Sequence, residues 1–271
     1  TLVAPGPFGH AVEGALVRNL WPATGAWSGM RAADWARIGI AGLAASPFDV
    51  YVGGFGSSVD ATAFASARHE EWAIRQNFQK IHACCQYGHA TVEATLALRA
   101  DPQFTTGAEG IASIRVETHP RALQLDDPRP KTTLGAKFSI PHIAAATAVL
   151  GHAGADAFAR TTLTEAGIAR LREAVELVPF EPVPPAPNDR PARVTWQLVD
   201  GSRLQAECLS ARGGPDRPFA IEEIVAKIGA IAAPVHPRLA EIAESVVALD
   251  PALLQRPWRD LVAAFTGSDR H

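Results

Sequence analysis

Between Lys80 and His89 the chain gathers an unusual set of reactive side chains, with Lys80, His82, Cys84, Cys85, Tyr87 and His89 falling within ten residues. A cation, two imidazoles, two thiols and a phenol in one stretch could bind a metal, present a nucleophile, or hold an anion and move a proton. Metal binding fits poorly, because adjacent cysteines suit one tetrahedral ion badly and no second Cys-x-x-Cys or His-x-x-x-His lies downstream. The thiols stand in no pattern that would activate them, and packing beneath a loop is the ordinary use of a free Cys. That density of reactive groups is unusual for a loop with no function. His89 opens a helical run, where the helix dipole disfavours an imidazolium and keeps the ring neutral and able to take a proton near pH 7.

Other residues, inside and outside this stretch, complete the reading. His142 sits in an apolar run, where it is either a second proton carrier or a hydrogen-bonded core residue. Tyr87 could contact a substrate. Lys137 reads as structural, and His82 as surface-exposed.

The elements that must position these residues follow from periodicity. Ala23–Ala45 is rich in Ala and Gly, with Trp27, Met30, Ala33, Ile38 and Leu43 near helical spacing. This predicts a tightly packed helix or helix pair with Trp27 and Trp35 in a core. Ser46 and Pro47 end it, and the glycines at 53, 54 and 56 predict a loop needing positive φ. A short helix is expected over 60–71, and another from Gly88 or His89 to Asp101-Pro102. Ile111–Thr118 and Ala174–Phe180 read as strands, and Ala192–Asp200 with Arg203–Leu209 as a hairpin around Gly201-Ser202. Helices are predicted at Ile140–Leu150 and at Thr164–Arg172, the latter with Thr164 as N-cap and Glu165 in the first turn. Others are predicted at Ile221–Ala232, Pro237–Val247 and Pro251–Thr266, and the Pro-rich stretch 183–191 reads as a surface loop.

The order is helical, then mixed, then helical again. The fold class expected is α+β: a helical-bundle part from the chain start and C-terminal tail, with an inserted α+β domain of a small sheet and crossover helices. The corresponding divisions are 1–76, 77–234 and 235–271.

The 271 residues, 47% of them hydrophobic, suffice for substantial cores. A net charge of −3 with scattered Lys and Arg excludes the basic field that gathers nucleic acid or anionic lipid. Three cysteines, two of them adjacent, fit a reducing cytoplasm, and no apolar run reaches the length of a membrane span. The chain begins at Thr1, which implies either a removed initiator Met or a fragment of a longer protein. A free N-terminal Thr can be a nucleophile, but Pro5, Gly6 and Pro7 follow it and no processing motif is visible.

Four segments carry a resemblance to a known family: KIHACCQYGHATVEATLALR (80–99), AKFSIPHIAAATAVL (136–150), GGPDRPFAIEEIVAKI (213–228), and EGALVRNLWPATGAWSGMRAADWARIGIAG (13–42). In this order they resemble the 2-methylcitrate dehydratase (MmgE/PrpD) family. The first matches its Lys-x-x-x-Cys-x-x-x-x-His followed by a helix. The second matches its Ala-Lys-Phe-Ser segment, and the third its Gly-x-Pro-x-x-Pro-x-x-x-x-Glu-x-x-x-Lys stretch.

The resemblance implies a cofactor-independent enzyme that dehydrates, decarboxylates or epimerises a small carboxylic acid. Lys80, His89 and His142 would be catalytic, and Arg18, Lys80 and Tyr87 would bind substrate, with no metal. Two departures bear on the substrate: Arg18 stands where a pocket Lys is usual, and His142 where an aromatic is common. Family chains also carry a long helical portion ahead of anything here. The resemblance therefore implies a second polypeptide supplying that half, within a higher homo- or hetero-oligomer. The alternative is a non-catalytic interaction subunit that keeps the fold.

Overall fold

The computed structural model describes residues 8–43, 45–56, 58 and 73–266. The chain divides into two compact units, one of residues 1–76 and 82–211, the other of residues 77–81 and 212–271. The helix expected over 60–71 lies outside the described residues.

In the first unit, α1 (Leu20–Arg37) and α2 (His89–Arg99) precede β1 (Ile111–Thr118). Then come α3 (Ile140–Leu150), α4 (Ala166–Glu173), β2 (Val175–Pro179), β3 (Ala192–Leu198) and β4 (Arg203–Cys208). The four strands form one open sheet in the order β2-β1-β3-β4. β1 runs parallel to β2 and antiparallel to β3, and β3 is antiparallel to β4.

The alternation legible in the sequence sets the two faces of the sheet. Ile114 lies opposite Trp196, Val116 opposite Val194 and Thr118 opposite Ala192, and all six are buried. Burying an aliphatic side chain of this size is worth roughly 1.5–3 kcal/mol. Between them, Arg115 faces Thr195 and Glu117 faces Arg193 on the opposite surface. There Arg193 pairs with Glu117 at 2.8 Å and Glu207 at 2.7 Å. α2 packs on β3, β4 and α3, while α3 packs also on α4 and β2, so one face is covered by helices.

α3 forms the centre of this layer, with every residue from Ile140 to Ala148 buried. Its start is fixed locally. The Ser139 hydroxyl caps it by accepting from the His142 backbone N–H at 3.0 Å, Pro141 occupies the first turn, where no donor is needed, and Gly151 closes it at φ +78°.

The second unit holds α5 (Ile221–Ala232), α6 (Leu239–Val247) and α7 (Trp258–Thr266). α5 and α6 approach closely at Gly229, where an added Cβ would lie 3.3 Å from that of Ala240. No helix of the described residues is long and apolar enough to cross a membrane.

Several expectations are corrected. The helix read over Ala23–Ala45 stops at Arg37, with Gly39 at φ +88°, and its apolar side chains are not in a core: Trp27 is 58% exposed and Met30 59%. Residues 46–54 continue as a short helix and a π-helical turn, so Ser46 and Pro47 begin helical backbone rather than end it. Of the three loop glycines only Gly56 has positive φ. α4 is capped by Glu165, whose carboxylate accepts from Gly167 N–H at 3.0 Å and Ile168 N–H at 2.6 Å, while the Thr164 hydroxyl turns back to the Thr161 carbonyl. The helix read over Pro251–Thr266 is two pieces, Pro251–Leu254 and Trp258–Thr266, because Pro257 removes a donor and blocks the preceding turn.

Candidate functional site

In the first unit, the segment from His82 to His89 is locked onto the Ala-Lys-Phe-Ser turn. Ala83 N–H donates to the Ala153 carbonyl and Cys85 N–H to the Lys137 carbonyl, each at 2.8 Å. Cys84 is buried in an apolar cluster with Val92, Ala136, Ile143 and Phe158, so its thiol packs under the loop. Gly88 is the N-cap of α2 and sits against α3, where an added Cβ would lie 2.7 Å from Ile143 Cδ1. Only a glycine permits this approach, which carries the next residue, His89, to the first helical position.

His89 is 1% exposed there. Its ring meets that of His82 edge to face at 5.2 Å between centroids. His82 is half-buried, not the surface residue that the sequence led us to expect. Arg18, on a short 3-10 turn, places its guanidinium 5.5 Å from the centre of the Phe138 ring, so the arginine is held against the same turn that binds Cys85. Lys137 contributes its carbonyl to this frame, which fits the structural role read for it.

Tyr87, half-buried, stacks at 5.3 Å on His119, the residue that follows β1, and the Arg190 guanidinium lies 5.8 Å from the Tyr87 ring centre. Sequence reasoning singled out neither His119 nor Arg190. They are far apart along the chain, and only the antiparallel register that sets Thr118 opposite Ala192 brings them together.

His142 is separate from this group. It is fully buried, with Nε2 at 3.2 Å from the Ala157 carbonyl and 3.5 Å from the Thr162 hydroxyl, and Nδ1 at 3.3 Å from Arg172 Nη1. Burial pushes its pKa down to about 4 against the opposing hydrogen bond to the Ala157 carbonyl, and the Arg172 charge adds a lesser lowering. A neutral ring with both nitrogens engaged has the geometry of the hydrogen-bonded core histidine, the other of the two readings of the sequence.

Lys80 belongs to the second unit. Its segment is pinned where Gln79 N–H donates to the Gly213 carbonyl at 2.7 Å, and the Lys227 ammonium donates to the Lys80 carbonyl. Gly213 has φ +117°, and an added Cβ would fall 2.0 Å from the Gln79 oxygen. The Lys227 pKa is lowered, first by burial and then by the Lys80 charge. Glu223 accepts from Ala220 N–H at 3.0 Å and from Arg212 at 2.6 Å, and its pKa is lowered chiefly by that Arg212 bond. Gly213 and Lys227 of the third motif thus hold the segment bearing Lys80, while Glu223 caps α5. Among the described residues, no three His, Cys, Asp or Glu side chains converge as a metal site.

A helix-covered open sheet, with a histidine-bearing loop clamped at one helix start, defines a mixed α+β protein whose reactive groups sit at element ends. The chain belongs to the MmgE/PrpD family: residues 82–250 match the model of the MmgE/PrpD C-terminal domain. No curated protein matches the chain significantly. Membership points to an enzyme acting on carboxylic acids.

Proposed function

We propose that this chain is one half of a cofactor-independent lyase or isomerase that moves a proton next to a carboxylate of a small acid. The observation that carries the reading is His89, buried at the first position of α2 on a loop clamped to the Ala-Lys-Phe-Ser turn. At a helix N-terminus an imidazolium is disfavoured, so the neutral ring is ready to accept a proton from the carbon beside the substrate carboxylate. The electron pair passes into that carboxylate as an enediolate, which Arg18 and Lys80 neutralise, with Tyr87 contacting the substrate. Expulsion of a leaving group completes a dehydration, and return of the proton to the other face an epimerisation. In a decarboxylation, loss of carbon dioxide leaves a carbanion, and a proton from solvent, relayed through the histidine, quenches it. His142 would enter only as a supporting residue.

A further helical element, from a second polypeptide or from elsewhere in the same protein, would cover α1. The exposed Trp27, Met30, Ile38 and Leu43 support this reading, since soluble monomers seldom leave apolar side chains so densely uncovered. The divisions at 1–76, 77–234 and 235–271 and the oligomer would then belong to the assembled enzyme, in the cytoplasm.

Proton transfer is tested directly by incubating the chain, alone and with the co-purified partner, with a panel of small hydroxy-, di- and tricarboxylic acids in D2O. Deuterium entering the carbon beside a carboxylate is followed by NMR. The expected result is exchange that falls at least about 100-fold in His89→Gln, the usual loss for a general base, and comparably in Lys80→Ala. Exchange unchanged in both variants removes the reading.

A further inference from the structure

Where β1 ends and β3 begins, three stretches of chain bring cations and hydrogen-bond donors around one aromatic platform. Tyr87 comes from the turn before α2, His119 and Arg121 follow β1, and Arg190 precedes β3. Arg121 N–H donates to His119 Nδ1 at 2.9 Å, which makes Nδ1 the acceptor and leaves the proton of the neutral ring on Nε2. The acidic group facing the ring is Asp189, which reaches Arg190 only at 3.9 Å. Among the described residues Arg121 enters no ion pair. The charges acting on the His119 ring are therefore two guanidinium groups, Arg121 and Arg190, and one carboxylate, beside a half-buried phenol ring. A cluster built for stability would pair its charges, as Arg193 does with Glu117 and Glu207 on the sheet. This one retains an excess positive charge and an unused donor, complementary to an anion with planar oxygens, which arginine binds through two parallel hydrogen bonds.

The cluster adjoins the proposed proton carrier in the chain, since Tyr87 is separated from His89 by Gly88 alone. We infer that Tyr87, His119, Arg121 and Arg190 form a subsite for a carboxylate group of the substrate other than the one beside the reacting carbon. This rests on the lyase or isomerase reading for its substrate.

The test uses the full chain with 15N-labelled histidine, His119 being assigned by the signal lost in His119→Asn, which keeps a side-chain acceptor for Arg121 N–H. Malonate is the probe, and equal ionic strength of sodium chloride the control. The expected result is a saturable shift of the His119 ring nitrogens with malonate only, with the ring pKa, held low first by burial and then by Arg121, moving up as the anion binds. In Arg190→Leu the apparent affinity should fall at least tenfold, and Arg190→Lys should lie between, with thermal melting of both variants as the folding control. A His119 signal unmoved by malonate, or a shift that is the same in Arg190→Leu, overturns the subsite. The readout needs no turnover. Malonate bound here by a chain that exchanges no substrate proton would remove the lyase reading alone, and exchange with an unmoved His119 would remove the subsite alone.

Discussion

Acid should destabilise this protein through one residue, His142. Its pKa is pushed down to about 4 in the fold by burial and by Arg172, against 6.5 for an unperturbed histidine. Above pH 6.5 the ring is neutral in both the folded and unfolded chains, and it contributes no pH dependence. As pH falls through 6.5 the unfolded chain takes up a proton that the folded one refuses, so stability declines, and the decline ends near pH 4, where the folded ring is protonated too. The difference of about 2.5 pK units corresponds to a loss of about 3 kcal/mol across that window, some 2 kcal/mol of it by pH 5. The main structural cause is burial, since the ring is fully enclosed; a proton on Nδ1 would in addition point at the Arg172 guanidinium 3.3 Å away, while the Nε2 bond to the Ala157 carbonyl works in the opposite direction. Urea unfolding of the wild type and of His142→Gln, from pH 7.5 to 4, isolates the effect, because glutamine offers a donor and an acceptor but does not titrate. The two stability curves should converge on the wild type's disadvantage as pH falls, at up to about 1.4 kcal/mol per pH unit relative to the variant. Parallel curves would refute the reasoning and mean that His142 takes up its proton as readily in the fold as outside it.

Three further outcomes follow from the packing. Gly88→Ala should cost about 1–3 kcal/mol by overpacking against Ile143 Cδ1, and Ile143→Val, which deletes that methyl, should recover much of it in a double-mutant cycle read by urea unfolding. Gly213→Ala should destabilise the second unit and lower any Lys80-dependent activity, since the new Cβ meets the Gln79 carbonyl at 2.0 Å and φ is +117°; thermal melting and proton exchange check the two effects. Glu165→Ala should cost about 1 kcal/mol as a lost N-cap, whereas Thr164→Ala should change stability by less than about 0.5 kcal/mol, a contrast that denaturant melts can resolve.

What was legible in the sequence was what local chemistry decides. β1 and α3 occupy the residues read for them, because alternation over Ile111–Thr118 and an unbroken apolar run after Ser139-Ile140-Pro141 admit few other solutions. The cap of α4 was misassigned because Thr164 and Glu165 are both capable caps and only the backbone decides between them. The environment of α1 was not legible at all. Its pattern of Trp27, Met30 and Ile38 says that something covers the helix, and within this chain those side chains stay exposed. His119 and Arg190 escaped notice because neither belongs to a local motif, and their meeting depends on strand register.

The motif residues divide into two kinds once their contacts are known. Gly88 permits the approach of α2 to α3, Ser139 caps α3, and Gly213 and Lys227 shape and tether the segment of Lys80; Glu223 caps α5. Each of these would be retained by an inert scaffold as much as by an enzyme, because each is required by the backbone. Their presence is therefore an argument for the fold and carries little weight for catalysis. His89, Lys80 and Arg18 differ. The fold needs a small residue at position 88, and beside it His89 is a buried imidazole whose ring meets that of His82 at 5.2 Å. Under the proposed function, the case for an enzyme over a scaffold rests on those three side chains, whose types suit proton transfer beside an anion.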